Sequence, residues 1–284
     1  MGVDNPAEEP TPKFAPRPPE TTMSNSHLPP ETLDHIVDLL LDKPKALRKC
    51  RLVSKSWIPR ARKHLFAEIE FFSVEHLESW KKTFPDPFNS PAHHTHTLLI
   101  YCPHAVTAAD AEDGGWIQAF SRLVHLKVGD SIRRPNCREV SLAPLHRLSP
   151  VLKSLRVSSL RLSNSQIFDL VYHLPLLEDL SLTILGAQTS DPNVGGSPNA
   201  AQPSTSPPFT STLELTLLQE MNHIARWLLD LPNGLHFRKL RLSWPREGYL
   251  RWINTLVAGC SDTLESLDVT CHVPGAIIKP FRWK

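Results

Sequence analysis

The sequence predicts an α/β fold in two unequal parts, a small three-helix domain over 27–66 and a strand-lined repeat domain over 67–284. Three observations carry that prediction. Apolar residues at helical spacing, punctuated by prolines, fill residues 28 to 66. From there on, triplets of the form apolar-x-x-apolar-x-apolar recur about every 27 residues. Helical stripes lie between several of these triplets, so strand and helix alternate along the chain.

In the first part, Leu33, Ile36, Val37 and Leu40 fall at i, i+3, i+4 and i+7, one apolar stripe on a first helix. Pro29 and Pro30 precede it where a first turn tolerates proline, and Glu31 puts negative charge at the helix N-terminus. Asp42-Lys43-Pro44 stops that helix and starts a second, with Pro44 at its first position. Ala46, Cys50, Val53 and Trp57 are expected to share a face of the second helix. Pro59 ends or kinks it, and Arg60 to Phe66 form a short third helix.

Three short helices cannot bury this much Leu, Ile, Val and Trp among themselves, because small units leave much apolar surface wet. The surplus packs either on the rest of the chain, as a cap, or on a partner. The order Leu28-Pro29, amphipathic helix, then Val53-Ser54-Lys55-Ser56-Trp57 resembles an F-box. In that family the first helix and the Val-Ser…Trp turn dock onto a Skp-type adaptor. The resemblance implies adaptor contacts by Leu28, Pro29, Leu33, Ile36, Leu40, Val53, Ser54 and Trp57. Lys43-Pro44 departs from the acidic-apolar pair that many F-boxes carry after the first helix.

The second part repeats loosely. Clear triplets are Leu123-x-x-Leu126-x-Val128, Leu152-x-x-Leu155-x-Val157, Leu177-x-x-Leu180-x-Leu182, Phe237-x-x-Leu240-x-Leu242 and Leu264-x-x-Leu267-x-Val269. Weaker members are Phe66-x-x-Ile69-x-Phe71, Leu98 with Ile100, and Leu213 with Leu215. The steps between successive members are 29, 28, 29, 25, 33, 27 and 27 residues, and the one long step contains the low-complexity segment 186–210. Between strands, Ile167, Leu170, Val171 and Leu174 form one helical stripe, Ile224, Trp227, Leu228 and Leu231 a second, and Trp252, Ile253, Leu256 and Val257 a third. Strand, turn and helix at this period resemble the leucine-rich repeats that follow F-boxes in many fungal proteins. That resemblance covers roughly residues 66 to 275 and implies an irregular solenoid with a strand-lined concave face. The Asn or Cys expected after each strand is missing; Leu160 and Leu185 stand at two such positions. No full capping repeat follows the last strand, so its outer edge is expected to be exposed or the chain to be shorter than its longer relatives.

Residues alternating with the buried leucines would face that concave surface. They are Lys127, Arg156, Ser158, Ser181, Thr183, Glu214, Thr216, Arg241, Ser243, Asp268 and Thr270, small hydroxyls and mixed charges suited to a protein segment or simply to water. Trp244 and Trp252 are read as core residues. Residues 1–26 hold six prolines and almost no aliphatic side chains, a disordered tail in which Pro16-Arg17-Pro18-Pro19 is more often plain tail than ligand. The segment 186–210 reads as a disordered insert.

With 284 residues, 40% hydrophobic content and a net charge of +2, the chain is long enough for one sizeable core and gives no bulk argument for nucleic acid or membrane binding. No apolar run approaches the length of a membrane span, and five scattered cysteines fit reduced thiols in the cytoplasm or nucleus. The basic run Lys45, Arg48, Lys49, Arg51, Lys55, Arg60, Arg62 and Lys63 faces an acidic first helix (Glu31, Asp34, Asp38, Asp42). A nucleic-acid stripe is one reading of it; a basic surface answering the acidic helix and an acidic partner is the other, and no aromatic residues interleave as stacking platforms. No catalytic motif is present, so no cofactor and no enzyme activity are expected. His93, His94 and His96 form the one sequence-local histidine cluster, without acidic or thiol partners at ligand spacing, and no metal site is expected. The F-box resemblance implies a substrate receptor of an SCF-type ubiquitin ligase, joined through a Skp-family adaptor to a cullin, with an unidentified client on the repeats. A scaffold without ligase activity and a nucleic-acid-binding repeat protein are the alternatives.

Overall fold

The computed structural model describes residues 29–102, 115–129, 142–158, 164–184, 207–217, 221–244, 250–273, 276–277 and 281–283. The tail over 1–26, Leu28, most of the 186–210 segment, Leu160 and Leu185 lie outside the described residues.

The chain is α/β, with eight parallel strands in one sheet. The strands are β1 (Glu68–Phe71), β2 (Thr97–Ile100), β3 (His125–Gly129), β4 (Ser154–Ser158), β5 (Asp179–Ile184), β6 (Thr212–Leu217), β7 (Lys239–Trp244) and β8 (Ser266–Val273). They lie side by side in chain order, each paired in parallel with its sequence neighbours. Sequential parallel order needs a crossover after every strand. In sequence order the helices are α1 (Pro30–Asp38), α2 (Pro44–Val53), α3 (Ile58–Leu65), α4 (Val74–Thr83), α5 (Asn164–Tyr172), α6 (Met221–Leu229) and α7 (Leu250–Gly259). The last four serve as crossovers. Two crossovers instead use 3₁₀ turns, Trp116–Ala119 and Ala143–Val151.

The register follows the apolar triplets. Ile69, Leu98, Leu126, Leu155, Leu180, Leu213, Leu240 and Leu267 are successive cross-strand partners, at steps of 29, 28, 29, 25, 33, 27 and 27 residues. A backbone ladder repeats at the strand entrances. His96 and Thr97 N–H both donate to Ala67 O, Val124 and His125 N–H to His96 O, Lys153 and Ser154 N–H to Val124 O, and Glu178 and Asp179 N–H to Lys153 O. One unit's last loop carbonyl thus fixes the next unit's start, which satisfies backbone groups the crossovers would otherwise bury unpaired. Thr95 Oγ1 donating to Phe66 O (2.8 Å) and Thr263 Oγ1 to Phe237 O (3.2 Å) repeat the same tie at the two ends of the sheet.

One face of the sheet is the core. Its leucine rungs pack against Leu77 of α4, Ile167, Leu170 and Val171 of α5, Ile224 and Leu228 of α6, and Ile253 and Leu256 of α7. All three helical stripes read from the sequence point inward. Trp252 packs half-buried against this core, and the side chain of Trp244 lies outside the described residues.

A second, separate cluster holds α1 to α3 together: Val37, Leu47, Cys50 and Ala61, with Leu40, Trp57 and Leu65 packed on it. Asp38 ties α1 to α3, accepting from Arg60 Nε (2.7 Å) and Arg60 Nη2 (2.5 Å), with His64 Nε2 at 2.6 Å. The acidic first helix is thus answered within the chain at this point.

Several expectations need correction. Val53 does not share an inward face with Cys50 and Trp57: α2 stops at Val53, Ser54 is extended (φ −151°, ψ 144°), and its side chain accepts from Ser56 N–H to start a new 3₁₀ turn. The break turns Val53 outward, and Leu47 takes the inward position. Pro59 neither ends nor kinks a helix but begins α3. The outer edge of β8 is not bare, because β10 (Phe281–Trp283) pairs with it antiparallel through Phe281↔Val269 and Trp283↔Leu267, and β9 (Ala276–Ile277) pairs with its end. The end of the 186–210 segment belongs to the core: Pro207 and Phe209 are buried, and the Phe209 ring lies 5.0 Å from that of Phe237.

Candidate functional site

Strand side chains alternate between faces, so the residues between two buried rungs must emerge on the opposite side. The middle polar rung runs Lys127, Arg156, Ser181, Glu214, Arg241 and Asp268 across β3 to β8, each the cross-strand partner of the next. Ser158, Thr183, Thr216, Ser243 and Thr270 form a second rung of hydroxyls at the strand ends. All eleven residues proposed for this face are exposed or half-buried and lie on it.

A third rung at the strand entrances, missed in the sequence, completes the surface: Glu68, Thr97, His125, Ser154, Asp179 and Thr212. With Lys127 to Arg241 of the middle rung it lines a concavity of about 410 Å³. The signal was available, since each of these residues directly precedes the first apolar residue of its strand (Ile69 in β1, a leucine in the others) and so shares the face of the residue two places on.

At the centre of the concavity, Arg156 donates from Nε to Ser181 Oγ (3.1 Å) and from Nη2 to Glu214 Oε2 (2.6 Å), while Ser181 Oγ donates to the same carboxylate oxygen (3.1 Å). Three adjacent strands therefore hold one preset polar cluster. Beside it, Thr212 N–H donates to Asp179 Oδ1 (2.9 Å) and Lys153 Nζ to Glu178 Oε1 (2.8 Å). Lys127 and Arg241 flank the cluster on the neighbouring strands, as cross-strand partners of Arg156 and Glu214. Such an array offers both signs of charge and rows of hydroxyls as hydrogen-bonding groups.

The three-helix unit supplies a second candidate surface. Pro29 is exposed; Leu33, Ile36, Leu40 and Ser54 are half-buried; Trp57 is half-buried against the small core. Val53 is 69% exposed. It is joined by Leu39 (69%), Leu41 (53%) and Leu52 (80%), none of which the sequence reading singled out. Leu39 and Leu41 lie in the turn between α1 and α2, and Leu52 and Val53 at the end of α2, all apolar groups left in contact with water.

Two groups of histidines pack together among the described residues. His93 and His94 pack ring to ring (3.9 Å), with His93 Nδ1 donating to Ser90 O, and among the described residues they belong to no group of three metal-ligating side chains. Burial, then the neighbouring charges of His93, Arg122, Lys63 and Arg62, hold His94 below the usual imidazole range. Instead His146, Asp169 and His173 converge, their ligand atoms within 4.8 Å of one another. Burial and the adjacent His173 push His146 below the usual imidazole range, against the pull of Asp169. Cys50, Cys102 and Cys260 are buried thiols, and burial pushes that of Cys260 up to about 11.

No described helix is long and apolar enough to cross a membrane. Comparison with protein-family models, with curated proteins and with solved structures gave no match for the chain.

Proposed function

We propose that the chain is the substrate-recognition subunit of an SCF-type cullin ubiquitin ligase, with α1 to α3 forming an F-box on a Skp-type adaptor and leucine-rich repeats presenting a client. One observation carries the adaptor half. A three-helix unit that already has a closed core still leaves Leu39, Leu41, Leu52 and Val53 in water. Aliphatic groups in that state gain about 25 cal/mol per Å² when a partner covers them. The mixed polar face of the sheet supports the client half, because a preset hydrogen-bonding surface spanning many strands fits an extended or folded polypeptide. In this reading the chain holds the client near a charged conjugating enzyme and leaves the chemistry to other subunits.

The test is recovery of purified Skp-type adaptor on the immobilised full chain. Leu52→Asp with Val53→Asp leaves the small core untouched and is expected to cut recovery at least about tenfold, the loss of roughly 1.4 kcal/mol. Undiminished recovery with both changes overturns the reading. Trp57→Ala would be a poor choice alone, since Trp57 packs on the small core and its loss would also destabilise the unit. Recovery of cullin with the adaptor separates a ligase subunit from a scaffold without ligase activity.

A further inference from the structure

We propose that His146, Asp169 and His173 form a binding site for one divalent transition-metal ion of the zinc type. The site lies outside both surfaces described above and does not depend on the function proposed for them. Asp169 sits on α5 and His173 directly follows that helix. His173 N–H donates to Asp169 O (3.3 Å), so the helical turn continues and the two side chains share one face. His146 comes from the 3₁₀ crossover of the preceding unit and meets them because neighbouring crossovers pack side by side.

The donor chemistry is set by hydrogen bonds. His173 Nδ1 lies 2.7 Å from Asp169 O, and a carbonyl only accepts, so Nδ1 carries the proton and Nε2 carries the lone pair. A second-shell carbonyl fixing the tautomer in this way is the usual support of a metal-bound histidine. His146 Nε2 is buried, makes no hydrogen bond, and lies 3.2 Å from Asp169 Oδ2. An orphaned buried nitrogen facing a carboxylate is costly in a bare protein and is satisfied by a cation between them. Among the described residues the recorded ion-pair partners of Asp169 are these two histidines, with no Lys or Arg.

Two imidazoles and one carboxylate favour Zn²⁺ or its neighbours over Mg²⁺ or Ca²⁺, which prefer all-oxygen shells. Bonds of about 2.0–2.1 Å in a tetrahedron place ligand atoms about 3.3 Å apart. The present spread of up to 4.8 Å has to contract on binding, and the side chains of Asp169 (58% exposed) and His173 (48% exposed) have open space in which to adjust. Three protein ligands leave a fourth position for water or for a group from another molecule.

The experiment is calorimetric titration of Zn²⁺ alone into the chelator-treated full chain, with the visible spectrum of Co²⁺ as a second readout of coordination geometry. One ion per chain is expected. His173→Ala and Asp169→Asn, both at exposed positions, should each weaken binding by roughly 100-fold, at the upper end of what a supporting residue alone is worth. Their metal-free circular dichroism and thermal midpoint should match those of the parent chain. His93→Ala with His94→Ala should leave stoichiometry and affinity unchanged. Absence of a stoichiometric site, binding that survives both of the first two variants, or loss of binding in the His93/His94 variant overturns the proposal.

Discussion

Phe209 combines a fully buried ring with a backbone in the left-handed region (φ 43°) that a bulky side chain rarely adopts. Packing against Phe237 and donation of its N–H to Leu177 O (3.1 Å) hold it there. The strain offsets part of the burial, so two substitutions should separate them. Phe209→Ala, which keeps the backbone cost and loses the ring, should lower unfolding free energy by about 3–5 kcal/mol in urea titration. Phe209→Gly should cost less than Phe209→Ala, reversing the usual order, because glycine adopts positive φ freely. At Asp38, the Arg60 guanidinium and then His64 hold the carboxyl well below the usual carboxylate range. A folded-state value below the unfolded one stabilises the fold above about pH 4 and fades as pH falls through the folded value. Asp38→Asn should therefore flatten the acid side of the stability profile of the helical unit and leave the neutral-to-alkaline slope unchanged. Cys260, its thiol raised to about 11, should resist alkylation at pH 8 until the protein is unfolded.

At the scale of elements, the small core of α1 to α3 rests on very few buried residues, so each matters. Leu47→Ala should cost about 2–5 kcal/mol, enough to open this unit while the sheet stays folded. Hydrogen exchange resolved by peptide would read loss of protection over 30–65 only. How far such elements are legible from the sequence depends on which forces set them. Six of the eight parallel strands follow an apolar triplet and two, β2 and β6, only an apolar pair, because burial of alternate residues leaves a local signature. The three helical stripes after β4, β6 and β7 were legible for the same reason. The 3₁₀ crossovers at Trp116–Ala119 and Ala143–Val151 were not, since so short a turn has no periodicity to read. Val53 was misplaced because a cap by Ser54, not hydrophobic spacing, decides where α2 ends. The cluster of His146, Asp169 and His173 left no mark in the sequence: His146 lies 23 positions before Asp169, and only the stacking of adjacent crossovers joins them.

For the whole molecule, contacts run mainly between units adjacent in sequence, and the polar face gathers residues from β1 to β8 that are separated by up to two hundred positions. Single changes on that face should scarcely alter stability. The Arg156–Glu214 pair is half exposed, and such pairs contribute about 0–1 kcal/mol. Arg156→Ala should leave the thermal midpoint within a few degrees while weakening any polypeptide held across β4 to β6, a separation that melting and binding measurements on the same variant would show. The face was readable as an alternation but not as a concavity with a preset centre, because curvature and the reach of Arg156 to a strand two places away belong to packing, not to pattern.

The reversal at β10 carries a consequence for assembly. Parallel growth requires each newcomer to copy the direction of its predecessor, and an antiparallel strand presents the wrong template to any further turn. It also occupies the row of amide and carbonyl groups that a second molecule would otherwise zip onto. A chain ending at Val273 should therefore scatter light increasingly with concentration and time, whereas the intact chain stays monodisperse. Phe281–Trp283 thus act as a stop signal against fibre-like stacking on β8.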